Sequence, residues 1–334
     1  MHDVTTIGSV TWDNFLESDY KVIPWKKTQT GKAIIFPLGD KLSIDNVYFT
    51  LGGNSANASI TFSRQGLKTA CFGKLGNDIV GKEIINRLKK DKVDPILAVS
   101  KEKPTAYSTL LLKKGERTIL GYHGSSDTLK KSDIPWNKLK SKWWYISLAG
   151  ESYKFLNPLL AFAKKNNIKV AFNPSGYHIK HAKKDILKSL KDISFLVLNE
   201  AEAAELVGIP FSKEAKVFKK IDDLMPGIVA VTNGPDGVTV SDGKYIYKAG
   251  IFKEKYIADR TGAGDSFGSG FVAGLIKYSN KPNLEIIKQA IRLASANATS
   301  VVEHIGATEG ILTNSEISKS SRWKNLGIKV KKLL

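Results

Sequence analysis

The stretch Asp259-Arg260-Thr261-Gly262-Ala263-Gly264-Asp265-Ser266-Phe267 runs without a break into an apolar helical segment, residues 268–276. Two glycines and an alanine at a helix start leave backbone N–H groups unobstructed, and the helix dipole adds positive potential there. Such a turn can hold a phosphoryl group. Asp265 stands one residue into this anion site, where a carboxylate would repel a passively bound phosphate. It makes sense if it removes the proton of a hydroxyl that attacks the phosphoryl group. The plain structural alternative makes Gly262-Ala263-Gly264 a close-packed helix start and Asp265 its N-terminal cap. A dinucleotide fingerprint built from Gly262, Gly264 and Gly268 fits poorly, because Asp265 would face the pyrophosphate and no strand followed by an acidic residue stands at the expected distance.

Outward from this turn, short β-type runs alternate with helical patterns. That alternation predicts βα units and a largely parallel sheet. Expected strands are 4–10, 69–73, 143–148, 169–173, 195–198 and 228–232. Expected helices are 55–65, 81–90, 154–166, 200–207, 213–224, 263–277 and 283–302. Residues 14–50 and 96–123 break the pattern and read as extended segments with turns. The second contains a hairpin, 107–112 and 118–122, about the turn Lys114-Gly115-Glu116. The expected division is an α/β core (1–13, 51–95 and 124–334) with a small β-sheet inserted twice (14–50 and 96–123).

Three further motifs bear on chemistry. Gly52-Gly53-Asn54-Ser55-Ala56-Asn57 opens a helix; paired glycines let a ligand approach the backbone, and the Asn57 amide both donates and accepts, as polyol recognition requires. An ordinary cap by Asn54 or Ser55 is the plain alternative. Asn199 and Glu202 follow an apolar strand at the edge where α/β ligands bind and could organise a hydrated magnesium ion, or simply cap a helix. Val231-Thr232-Asn233-Gly234-Pro235-Asp236-Gly237 could pass along a nucleotide, or serve as a hairpin turn. Gly76 to Glu83 nearly spells a phosphate-binding P-loop, but Glu83 replaces the magnesium-binding hydroxyl and Asp78 would face the phosphates. His178 and His181 have a ligand-like spacing with no carboxylate or thiol set to complete a metal site. Trp143 and Trp144 read as core, and Trp12, beside Asp13, as facing a ligand.

Composition limits the alternatives. The chain has 334 residues, 42% hydrophobic and 25% charged, the balance of a globular enzyme. One cysteine, Cys71, rules out an internal disulfide and a multi-cysteine metal site. With no basic leader and no long apolar stretch, a cytoplasmic protein is expected. The net charge of +19 is spread as lysine pairs with few arginines, which argues for a solvated surface over a nucleic-acid face.

Taken in order, these motifs resemble the ribokinase-like (PfkB) carbohydrate kinases across essentially the whole chain. The family's Asp-x-Thr-Gly-Ala-Gly-Asp-x-Phe signature stands at 259–267, and its N-terminal glycine signature at Gly52-Gly53 with Asn57, then Gly73, Gly76, Asp78 and Gly81. The Asn-x-x-Glu element at Asn199 and Glu202 and the Val-Thr-x-Gly-x-x-Gly element at 231–237 also agree. The resemblance implies a Rossmann-like α/β/α sandwich with a β-sheet lid formed by the two inserted segments, and a cytoplasmic ATP- and Mg²⁺-dependent kinase. It makes Asp265 the base and Gly262, Ala263 and Gly264 the anion hole. Glu202 and Asn199 would order Mg²⁺ through water, and Thr232, Gly234 and Gly237, with Asn199, would line the ATP site. Asp13, Gly52, Gly53 and Asn57 would bind the substrate. Some members also hold a monovalent cation, K⁺, which here would sit at Asp259, Thr261 and the Gly306 loop; a homodimer through the lid is a further implication. The acceptor is expected to be a sugar, with a nucleoside as the alternative. Readings of another class are a ligand sensor without turnover, which the intact Asp265 disfavours, and a basic nucleic-acid-binding protein.

Overall fold

Residues 195–198 and 229–231 are buried at every position, as strands covered on both faces must be. They lie near the middle of a ten-stranded sheet in a computed structural model that describes residues 1–28, 30–278 and 283–333. Residues 29, 279–282 and 334, which the expected division includes, lie outside the described residues. In chain order the strands begin β1 (His2–Gly8), β2 (Thr11–Glu17), β3 (Val22–Pro24), β4 (Lys32–Ile34), β5 (Asn46–Gly52), β6 (Thr69–Gly76), β7 (Val93–Ser100) and β8 (Tyr107–Lys113). They continue β9 (Glu116–Tyr122), β10 (Ser141–Ser147), β11 (Lys169–Phe172), β12 (Phe195–Asn199), β13 (Ile228–Thr232), β14 (Val238–Ser241), β15 (Tyr245–Ala249) and β16 (Ile328–Lys332). The helices are α1 (Asn54–Arg64), α2 (Ile79–Lys90), α3 (Leu156–Lys165), α4 (Gly176–Ser189), α5 (Glu200–Val207), α6 (Glu214–Asp222), α7 (Ala263–Tyr278), α8 (Leu284–Val302) and α9 (Asn314–Lys319).

The large sheet has the order β16-β15-β14-β13-β12-β11-β10-β1-β6-β7. It is parallel from β7 through β13 and antiparallel beyond. From β1 the chain builds outward to β6 and β7, then returns to the other side of β1 with β10. The β1/β10 junction is therefore the switch point at which open α/β sheets bind ligands. Strand alternation sends Trp143 and Tyr145 to one face, where they join Phe62 of α1 and Phe271 of α7; Trp144 and Ile146 face the other way, with α3 to α6. Each large apolar side chain so buried contributes about 1.5–3 kcal/mol. Both tryptophans are core, as expected, and the layers form the α/β/α sandwich.

A second sheet, β5-β2-β8-β9, draws on both inserted segments. Its hairpin matches the expectation: Lys113 pairs with Glu116 across Lys114 and Gly115, both with positive φ (50° and 79°), which is the backbone a two-residue hairpin turn requires. The boundaries differ from the expected division. Residues 11–13 and 51–52 already belong to the small sheet, and 96–100 continue β7 against β6 in the large one. Pro95 is tolerated there because β7 is an edge strand. The α4 helix was not expected; its pattern is broken at Ala182, where φ is −131°. The antiparallel extension β14–β16 also lies outside the expected parallel set.

Candidate active site

The turn before α7 is shaped for its sequence. Gly262 has φ +78°, and a Cβ on it would lie 2.5 Å from the Ala307 Cβ, so a side chain is excluded both by conformation and by space. Asp265, in the first turn of α7, is 8% exposed. Its Oδ2 accepts from the Asn57 amide at 3.0 Å and its Oδ1 from the Asn173 amide at 3.2 Å. The carboxylate is thus held by two side-chain amides, where a helix cap would accept from backbone N–H groups. Burial pushes its pKa up to about 6; the two amide bonds oppose that shift and the nearby Asp13 charge adds to it.

Asp265 faces a cavity of about 380 Å³ at the switch point. The polar floor includes Ser9, Asp13, Asn54 and Asn57; the outer wall brings Leu110 and Ile119 from the small sheet together with Tyr122 and Tyr177. None of the described residues lining it is lysine or arginine. Asp13 is 6% exposed and accepts from the Thr11 hydroxyl at 3.0 Å. Burial pushes its pKa up to about 6, against hydrogen bonds from Ser108 and Thr11. Gly52 makes room for this carboxylate, since a Cβ there would lie 2.1 Å from Asp13 Oδ2. Gly53 enters α1 with φ +88°, and its missing Cβ would lie 2.6 Å from the Ser9 carbonyl oxygen. Asn57 follows one turn into that helix.

On the other side of the turn lies a largely apolar cavity of about 190 Å³, bordered by Thr232, Gly234, Gly237, Ala263, Gly264 and Phe267. Gly262 and Asp265 line the first cavity and Ala263 and Gly264 the second, so this turn stands between them. Gly237 (φ +94°) also closes the β13–β14 hairpin, as the turn reading of this stretch expected. Arg260, not singled out from the sequence, borders this second cavity. Gly268 is spent on packing: a Cβ there would lie 2.5 Å from the Tyr145 hydroxyl of β10.

The other expected residues divide. Asn199 and Glu202 form a reciprocal cap of α5, Glu202 N–H to Asn199 Oδ1 at 2.8 Å and Asn199 N–H to Glu202 Oε2 at 2.9 Å, and line neither cavity. Burial raises the Glu202 pKa, and the Asp265 charge adds to the shift. Asp259 is fully buried; its Oδ1 accepts from the Thr261 N–H (3.0 Å) and hydroxyl (2.8 Å), while Oδ2 has no hydrogen-bond partner. Asp78 caps α2 through the Gly81 N–H at 2.7 Å and holds Thr105, so the near P-loop is a helix start. His178 is buried and His181 stacks on Tyr177; among the described residues no group of three His, Cys, Asp or Glu could hold a metal. Trp12 does not face the cavity. It alternates with Thr11 and Asp13 along β2 and packs instead on the cluster of Val10, Leu51 and Ile60.

Sequence reasoning missed Asn173, Thr11 and Ser108 as partners of the two carboxylates. Asn173 had a readable signal, an amide directly after an apolar strand and before Pro174, at the C-terminal edge where ligands bind. Thr11 lies two residues from Asp13 on the same strand, so its hydroxyl was within local reach of the reading; Ser108 had no signal, because it meets Asp13 only through the long-range pairing of β2 with β8.

The model of the pfkB family carbohydrate kinases matches residues 23–314. The chain is 28% identical to a ribokinase of Haemophilus influenzae, over 94% of this chain and 96% of that one. It is 25% identical to a nucleoside kinase of Methanothermobacter thermautotrophicus, over 81% and 85%. The solved structure of ribokinase from Giardia lamblia superposes with a TM-score of 0.78 at 20% identity, covering 95% of this chain and 97% of that one, which extends the likeness to the fold. With a family match across most of its length, the chain belongs to the pfkB family of carbohydrate kinases.

Proposed function

We propose that this kinase transfers the γ-phosphoryl group of ATP to a hydroxyl of an uncharged sugar, with Asp265 removing the hydroxyl proton. The observation that carries the reading is the position of Asp265. It lies in the wall between the two cavities, with both oxygens aimed by amides and its pKa up at about 6, near the working range of a general base. Asn57 and Asn173 orient the carboxylate, and Asp13, steadied by Thr11 and Ser108, takes a second acceptor hydroxyl beside Gly52 and Gly53. The free amides of the Gly262-Ala263-Gly264 turn meet the phosphoryl oxygens, and Thr232, Gly234 and Gly237 flank the nucleotide.

Mg²⁺ bound with the nucleotide supplies charge neutralisation of the phosphates. The donors present fit an ion that keeps its waters: the α5 cap occupies Glu202 Oε2, and Asn199 and Glu202 stand at the end of β12, near enough for Asp265 to shift the Glu202 pKa. The small sheet is read as a lid, because Asp13, Ser108, Leu110 and Ile119 form its cavity-facing side. Its outward side carries exposed Val47, Phe49 and Leu120, which suits a homodimer through the lid. A cytoplasmic location is part of the reading, and a free, buried Cys71 suits it; among the described residues no helix is long and apolar enough to cross a membrane.

The acceptor's charge follows from the lining. With two carboxylates and no lysine or arginine among the described lining residues, a phosphate or carboxylate about 8 Å from either acid meets roughly 2 kcal/mol of repulsion at an effective dielectric constant of 20. The wall of Ile119, Tyr122 and Tyr177 favours a second reading, a nucleoside whose base lies on that apolar side. The test is initial-rate ADP release with matched acceptors: ribose against ribose 5-phosphate, fructose against fructose 6-phosphate, then ketodeoxygluconate, adenosine, cytidine and inosine. Turnover is expected with an uncharged acceptor, at a kcat/KM at least about tenfold above its anionic counterpart. Turnover confined to anionic acceptors would overturn the assignment.

A further inference from the structure

Asp259 holds the anion turn through Thr261, yet it is a fully buried carboxylate with one oxygen lacking any partner. A buried charge is costly unless an opposite charge or a metal compensates it. The family resemblance would put K⁺ here. Two buried oxygens here lack a hydrogen-bond partner, Asp259 Oδ2 and the hydroxyl of Thr50, which would lie 3.1 Å from a Cβ on Gly306. The chain, however, already brings a cation of its own. Arg117, on β9 of the small sheet, places Nε 3.9 Å from Asp259 Oδ1. A separate contact seats that hairpin: at its turn, a Cβ on Gly115 would lie 3.4 Å from the Ile257 carbonyl oxygen, on the segment leading into Asp259.

We infer that Arg117 is the resident counter-cation of Asp259 and makes phosphoryl transfer by this chain independent of K⁺. The inference rests on the anion-turn reading above. An uncompensated Asp259 would lower the potential at the very amides that receive phosphoryl charge; a guanidinium, charged at every working pH, cancels it. Because β9 belongs to the small sheet, the compensation arrives with that sheet and couples its seating to the readiness of the turn. Arg117 is a positioning residue in this account.

The test compares wild type, Arg117→Ala and Arg117→Lys in KCl, NaCl and tetramethylammonium chloride at one ionic strength, reading both turnover and Tm. Wild-type rates should stay within about twofold across the salts, with no K⁺-specific rise in Tm. Arg117→Ala should lose about tenfold or more in kcat, recover part of it with added guanidinium or K⁺, and acquire a Tm that K⁺ raises; Arg117→Lys should fall between and stay insensitive to the salt. A wild type that needs K⁺ more than tenfold and gains Tm with it would overturn the inference. So would an Arg117→Ala loss that no cation repairs, which would make Arg117 a packing residue, or no loss at all. If no acceptor supports turnover in wild type, the kinase reading fails, and the Tm comparison alone still decides whether Arg117 or K⁺ answers Asp259.

Discussion

Replacing Asp265 with asparagine should cripple the chemical step while making the fold more stable at neutral pH. The packing cost is small. Asn57 Oδ1 is buried without a partner, so a flip of the Asn57 amide offers an acceptor to the new NH₂ group. The electrostatic gain follows from the carboxylate's pKa, which rises from 3.8 to about 6 on folding. Roughly two units at about 1.4 kcal/mol each put the net penalty on the charged form at ~3 kcal/mol, with its hydrogen bonds already counted. The sign follows from proton binding. A raised folded pKa means that the folded state holds a proton the unfolded chain releases, so wild-type stability falls as pH rises from about 4 through 6. Asparagine carries no such penalty, and its advantage should be full at pH 7.5 and fade between pH 6 and 4. Differential scanning fluorimetry of the two proteins at pH 7.5 and 4 should show the variant a few degrees higher at the first and near parity at the second. Steady-state kinetics at pH 7.5 should show nearly normal ATP affinity and a kcat lower by about 10²–10⁴, the range for loss of a general base. A variant with near-normal kcat, or one destabilised at both pH values, would refute the reasoning.

Other perturbations separate the remaining roles. A Cβ on Gly264 meets no protein atom within 4 Å and projects toward the second cavity, so Gly264→Ala should leave Tm within about 1 °C and raise the KM for ATP several-fold. Glu202→Gln should weaken turnover at limiting magnesium more than it weakens acceptor binding; unchanged turnover there would remove Glu202 from the metal environment. Hydrogen exchange in β2, β5, β8 and β9 should slow when the correct acceptor is added, since closure of a lid shields its backbone; no protection at saturation would end the lid reading.

Much of this site was legible in the chain because its parts are local. The Gly262 turn and the Gly52-Gly53 entry to α1 are short stretches whose backbone demands are written in glycine. The central strands were equally readable, since strands buried on both faces carry continuous apolar runs such as 195–198. What the sequence hid depends on pairing over long distances. Asp13 meets Ser108 only because β2 runs beside β8, and Arg117 meets Asp259 only because the hairpin folds over the anion turn. Trp12 misled because aromatic character beside Asp13 says nothing about strand parity, which turns it to the opposite face. The Asn199–Glu202 pair shows a different limit, for a helix cap and a metal-organising role demand the same sequence spacing, and what the structure shows is the cap.

Phosphorus NMR of a reaction mixture of wild-type protein, Mg-ATP and an uncharged acceptor tests the central claim most directly, because it follows the phosphoryl group itself. The account predicts loss of the ATP γ-signal with ADP and a new sugar or nucleoside phosphomonoester appearing one for one, and no such product from Asp265→Asn over the same time. ADP accompanied only by inorganic phosphate, or no change with any uncharged sugar or nucleoside, would contradict it.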